Sequence, residues 1–144
     1  MKRILLLAAA LAAAWTAAAK ITLPEIIGDN MVLQQNAEAR LWGWAEPHTA
    51  VKVAASWGAK ATARSGADGR WEVMLKTPAG GYDPQRITIA GDGRVELNDI
   101  LIGEVWFAGG QSNMEMGVEG FLNCPVARSN EVIARADARR GKIR

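Results

Sequence analysis

Ile100-Leu101-Ile102-Gly103-Glu104-Val105-Trp106-Phe107-Ala108 is the stretch on which the fold turns. Apolar residues run through it almost without a break, the pattern of a strand covered on both faces. It ends at Gly109-Gly110, and Gln111 to Glu119 fit the start of a helix or an irregular loop. Farther on, Ser129 can cap a helix running to about Ala138, with Val132, Ile133 and Ala136 on one face. Gly141 would stop that helix, and Lys142-Ile143-Arg144 has the pattern of a further strand beginning. Strand, sharp turn, helix and next strand open an α/β unit. One strand and the start of another cannot complete a parallel sheet, so residues 101–144 are expected to be the truncated opening of such a domain.

Upstream, from Ile21 to about Ile100, apolar residues alternate instead of running on. Arg40-Leu41-Trp42-Gly43-Trp44 and Val51-Lys52-Val53 have period two, Trp71, Val73 and Leu75 share one face of a run, and Ile87 with Ile89, then Val95 with Leu97, repeat the device. Glu46-Pro47-His48, Ser65 to Gly69, Pro78 to Gly81 and Gly91-Asp92-Gly93 separate these runs with residues that tolerate turn dihedrals. Asp68-Gly69 and Asp92-Gly93 read as hairpin turns. Short strands at this spacing predict an antiparallel β-sandwich over residues 20–100.

The chain begins with Lys2 and Arg3, an apolar run from Ile4 to Trp15, and the small residues Ala17-Ala18-Ala19. This is the pattern of a secretory signal at residues 1–19, cleaved near Ala19-Lys20, and it implies export to a periplasm or the extracellular space. The run falls short of the roughly 20 apolar residues that span a bilayer, so no stable membrane insertion is expected. Lys2 and Arg3 account for the whole formal net charge of +2. The remaining chain is neutral. Its basic tail, Arg135 to Arg144, has no interleaved aromatic residues and reads as a solvated helix face, which argues against nucleic acid as a partner. Cys124 is the single cysteine, so no disulfide can staple an exported chain, and it reads as a small, inert, buried hydrophobe.

The chemistry concentrates after Gly109-Gly110. A serine hydroxyl needs a base to take its proton and a turn that presents it to a carbonyl. Ser112 sits where the chain would enter a new element, Gly109 and Gly110 leave room for a turn and an approaching substrate, and N–H groups there could hold an oxyanion. The only histidine, His48, belongs to a turn of the β region and reads as a surface residue, so these residues assemble no triad. Glu115 and Glu119 stand four apart and read as solvated. No zinc ligand set, EF-hand loop or phosphate loop is present in the sequence, and neither a metal nor another cofactor is expected.

Gly103-Glu104-Val105-Trp106 followed by Gly110-Gln111-Ser112-Asn113-Met114 resembles the nucleophile block of the sialate O-acetylesterase family, whose catalytic domain is similar to SGNH hydrolases. Gly28-Asp29-Asn30-Met31-Val32-Leu33-Gln34-Gln35, Trp42-Gly43-Trp44, Gly69-Arg70-Trp71 and Gly120-Phe121 extend the likeness over most of the chain. The resemblance implies a β-sandwich followed by the start of an SGNH-hydrolase-like α/β domain, and a serine esterase acting on acetylated sugars or glycans of sialic acid or xylan type. It implies Ser112 as the nucleophile, with Gly110, Gln111 and Asn113 in oxyanion or supporting roles. It places the base in a late Asp-x-x-His segment that this chain does not contain, so the chain alone is expected to be inactive. Two positions depart from the family pattern: Gly109, where many relatives carry serine, and His48, where they often have glycine.

A second reading stays open: a noncatalytic carbohydrate-binding β-sandwich using exposed aromatics such as Trp42, Trp44 or Trp57. The sequence leaves the oligomeric state open. From Leu101 onward an apolar strand without neighbours would be an aggregation hazard.

Overall fold

The computed structural model describes residues 21–144. The expected signal at residues 1–19 lies outside the described residues. The described chain is mostly β. It forms β1 (Val32–Gln34), β2 (Glu38–Trp44), β3 (Ala50–Ala55), β4 (Lys60–Arg64), β5 (Arg70–Lys76), β6 (Gly81–Ala90) and β7 (Arg94–Gly103). Then come a one-turn helix α1 (Ser112–Glu115), the short strands β8 (Gly120–Phe121) and β9 (Cys124–Pro125), and helix α2 (Ser129–Asp137). Among the described residues no helix is long and apolar enough to cross a membrane.

Five strands form one sheet in the order β1-β7-β6-β3-β4, and β2 pairs with β5 in a second. The alternation marks the inner faces. Trp71, Val73 and Leu75 of β5 are buried, as are Val51 and Val53 of β3, Ile87 and Ile89 of β6, and Leu97 and Ile100 of β7. With Leu41 of β2 and Ile21 they make one cluster shared by both sheets. A fully buried side chain of this kind is worth about 1.5–3 kcal/mol, so this cluster holds the fold.

Several expectations need correction. The β region is not purely antiparallel, because β1 runs parallel to β7 in the register Val32↔Leu101, Leu33↔Ile102, Gln34↔Gly103. Asp92-Gly93 does close a hairpin, with Ala90 opposite Arg94. Asp68-Gly69 does not: it carries the chain from β4 in one sheet to β5 in the other. Gly69 has φ +78°, and a Cβ there would collide with the carbonyl oxygen of Ala45, so the crossing needs glycine.

The run from Ile100 to Ala108 is not one buried strand either. Ile100 to Gly103 prolong β7 across the expected boundary at residues 100 and 101, and Leu101 and Ile102 are buried with β1 on one side and β6 on the other. That strand therefore has both neighbours, contrary to the expected exposed edge. Beyond Gly103 the ladder stops, no described element covers the chain, and Val105, Trp106 and Phe107 are exposed. Helix α2 forms close to the predicted span, yet Ser129 is its first residue and not its cap. Arg128, in the left-handed region at φ 61°, precedes it and makes no side-chain capping bond. Instead the Arg128 guanidinium donates two hydrogen bonds to Glu131. Gly141 turns the chain at φ +86°. Lys142 to Arg144 form only an isolated bridge, Arg140 with Ile143, in place of the expected strand. Cys124 is exposed on β9, not buried.

Candidate active site

The approach to Ser112 starts at the parallel pair. Asp29 and Asn30 bracket the far side of β7: Asp29 Oδ1 accepts from the Asn98 N–H at 2.7 Å, and the Asn30 N–H donates to the Asn98 carbonyl at 3.1 Å. At the other end the half-buried Gln34 and Gln35 meet Glu104, the first residue past β7. Gln34 Nε2 and Gln35 Nε2 donate to its two carboxylate oxygens at 3.0 and 2.6 Å. These bonds, that from Gln34 first, hold the Glu104 carboxyl below its ordinary value. The segment Gly28 to Gln35 thus has a structural reason for its composition: it seats the parallel strand and grips the exit of β7.

From Glu104 to Gly110 the chain has no regular secondary structure. Gly109 and Gly110 do not lie in the left-handed region. A Cβ on Gly109 would come within 3.0 Å of the Phe107 ring, and one on Gly110 within 3.1 Å of Met114 Cγ. Close neighbours, and not turn dihedrals, therefore set their size. Gln111 precedes α1 without a side-chain capping bond, its carbonyl accepting from the Met114 N–H at 2.9 Å. Ser112 opens α1, is exposed, and accepts from the Met116 N–H through its backbone carbonyl at 3.1 Å. The first N–H groups of a helix have no partner within it, and in this turn the Met114 N–H is taken up by the Gln111 carbonyl. Asn113 follows on the same turn.

His48 sits elsewhere. It is exposed, at φ 58°, and its N–H donates to the carbonyls of Ser65 and Gly66. The neighbouring Glu46 N–H donates to Asp92 of the β6–β7 hairpin at 2.8 Å. That hairpin is the start of β7, whereas the chain leaves for Ser112 from its other end, roughly 30 Å along a strand of this length.

A cavity of about 730 Å³ is lined by Gln35, Tyr82, Glu104 and Trp106 with Lys142 and Arg144, and its lining does not include Ser112. Arg144 reaches it while bonding both the carbonyl and the carboxylate of Asp99. Lys142 Nζ stands 4.6 Å from the Tyr82 ring centre. Among the described residues no three His, Cys, Asp or Glu side chains gather to hold a metal ion.

No family model matches the chain. Sialate O-acetylesterases from Homo sapiens and Pongo abelii are each 32% identical to it over 114 residues, covering 72% of this chain and 22% of theirs. A carbohydrate acetylesterase from Xanthomonas citri superposes with a TM-score of 0.62 at 39% identity, over 68% of this chain and 22% of that one. These relatives support a sialate O-acetylesterase-like carbohydrate esterase family for the part of their length that the chain matches. The chain spans about a fifth of the length of the relatives it matches.

In this chain packing accounts for the tryptophans of the β region. Trp71 is buried, Trp42 and Trp57 pack half-buried against the core, and the Trp57 indole N–H is spent on the Lys76 carbonyl at 2.9 Å. The guanidinium of Arg40 lies 5.6 Å over the Trp42 ring. Of the three aromatics expected for a sugar-binding face, only Trp44 is substantially exposed.

Proposed function

We propose that this chain carries the nucleophile of a serine carbohydrate O-acetylesterase, with Ser112 as the attacking group. An acetylated sugar or glycan is the substrate. The observation that supports the reading is the position of Ser112, exposed at the head of a helical turn that follows the exit from β7, in a chain related to acetylesterases. In this reading the β-sandwich runs to the end of β7 at Gly103, and the chain after it opens an SGNH-hydrolase-like domain. Residues 1–19 direct export.

The chemistry is acyl transfer. The Ser112 hydroxyl gives its proton to a base as its oxygen bonds to the acetyl carbonyl carbon. The carbonyl oxygen becomes an oxyanion that the Ser112 N–H and its neighbours on the turn stabilise, with Gly110, Gln111 and Asn113 shaping the hole. The carbon–oxygen bond to the sugar breaks, the sugar oxygen takes up the proton, and water then hydrolyses the acetyl-serine. His48, exposed in the turn beside the β6–β7 hairpin, is read as a surface residue and not as the base. In this reading the base is the late Asp-x-x-His segment that the family resemblance implies.

The test uses the complete gene product with p-nitrophenyl acetate and O-acetylated sugars. Ser112→Ala should lower kcat by at least about 10³-fold, as removal of an acyl-transfer nucleophile does. Undiminished turnover in that variant rules out the assignment. Alanine at both Gln111 and Asn113 should also lower kcat, and an unchanged rate would remove them from the site.

A further inference from the structure

We infer that Glu104 is a positioning residue for Ser112, acting through Gln34 and Gln35; the inference rests on the nucleophile reading above. A nucleophile must be held to within about 0.5 Å of its productive place. The ladder that could do this ends at Gly103, where Gly103 pairs with Gln34. Seven residues, Glu104 to Gly110, then lead to the turn without regular structure.

What fixes the direction of departure is a knot of hydrogen bonds in which both amides are used at both ends. Gln34 donates to one Glu104 oxygen and accepts from the Val105 N–H at 2.9 Å. Gln35 donates to the other and accepts from the Gly80 N–H at 2.6 Å. The Gln35 N–H reaches the Gly103 carbonyl at 2.8 Å. One carboxylate therefore joins the end of β1, the end of β7 and the β5–β6 loop. The loop is held close: a Cβ on Gly80 would stand 2.9 Å from Gln35 Oε1 and 3.1 Å from the Ile102 carbonyl oxygen.

The donor pattern makes a sharp test available. Each glutamine already uses its carbonyl on a backbone N–H, so only an acceptor on both oxygens fits between them. Glu104→Gln keeps the shape but sets one NH₂ group against another. Combining it with Gln35→Glu restores every bond: the carboxylate at position 35 accepts from Gly80 and from the amide at position 104, whose carbonyl accepts from Gln34.

In the complete gene product, Glu104→Gln should reduce kcat by about 10- to 100-fold with KM within about twofold, since a displacement near 1 Å costs up to that much. Gln35→Glu with Glu104→Gln should recover kcat to within about threefold of the parent, as the hydrogen bonds are regained. An unchanged kcat in Glu104→Gln, or a loss that the paired exchange does not recover, overturns the inference; so does a rise in KM alone, which would mark Glu104 as a substrate contact in the neighbouring cavity. Ser112→Ala assayed in parallel separates the two ideas. Activity surviving there removes the nucleophile reading and this inference with it, whereas activity lost there but kept in Glu104→Gln removes the positioning role alone. Hydrogen exchange in the 144-residue chain reads the knot without catalysis: Glu104→Gln should speed exchange at Val105 and Gly80 and leave Val53 unchanged, and equal protection at all three sites would refute the knot.

Discussion

At Gly43 three neighbours converge on the space a methyl group would need: the Thr22 carbonyl, Leu23 Cδ2 at 3.0 Å and Trp71 Cζ2 at 3.0 Å. Gly43 is also the register partner of Trp71, so the indole lies where a side chain on β2 would stand. This explains Trp42-Gly43-Trp44 and the tryptophan of Gly69-Arg70-Trp71 as two halves of one packing unit. Gly43→Ala should destabilise by about 1–3 kcal/mol, the usual range for overpacking, measured as a lower urea midpoint at unchanged slope. A midpoint equal to the parent's would show that the unit relaxes freely. His48 tells the opposite story. It holds a left-handed backbone that costs a non-glycine residue about 1–2 kcal/mol, against about 0.5–1 kcal/mol of extra chain entropy lost by glycine. His48→Gly should therefore change stability by no more than about 1 kcal/mol and leave esterase kinetics alone. A collapse of kcat in that variant would return His48 to the list of catalytic groups.

Among the elements, the junction of β1 with β7 should respond to acid. The folded Glu104 carboxyl lies below its ordinary value of 4.5, so the carboxylate's contribution is present above that value and lost as pH falls through the lower folded one. Side-chain amide signals of Gln34 and Gln35 should hold their folded shifts at neutral pH and collapse together below about pH 4.5. Loss of those shifts near pH 6 would point to a different group. The strong alternators β2, β3, β5, β6 and β7 were legible in the residues because each buries a period-two apolar face. Of the first seven strands, two were not. β4 offers only alanines between Lys60 and Arg64, apart from Thr62, and β1 has three residues, too few to show a period. The parallel sense of β1 against β7 is set by a contact between residues about 70 apart, which no local pattern encodes. β6 starts earlier than Ile87 suggests, at Gly81, with Pro84 accommodated where the register to β7 shifts. Around Ser112 the residue types were legible in sequence, whereas the Gln34–Glu104–Gln35 knot was not, since it depends on that same distant pairing.

For the molecule as a whole, the main core among the described residues lies between Ile21 and Ile100, and the last buried apolar side chain is that of Ile102. A polypeptide of residues 21–104 should therefore melt cooperatively within about 5 °C of the 144-residue chain, because residues 105–144 add polar tethers such as Arg144–Asp99 and Arg140–Asp137 but no apolar side chain to the core. A broad, non-cooperative melt would show that the excised residues carry structure the core needs. The 144-residue chain itself should turn over p-nitrophenyl acetate little or not at all; turnover that vanishes in Ser112→Ala would prove it sufficient. The parallel pairing also has a kinetic consequence. Gln34 and Glu104 are 70 positions apart, and five strands lie between β1 and β7. Joining the two ends early would cost the entropy of closing that whole loop, so the junction forms after the intervening hairpins have shortened it. A late contact leaves its mark on unfolding and not on folding: weakening the junction should speed the unfolding limb of a chevron and spare the refolding limb. The segment bearing Ser112 is thus aimed last, and only by a chain that has already folded everything before it.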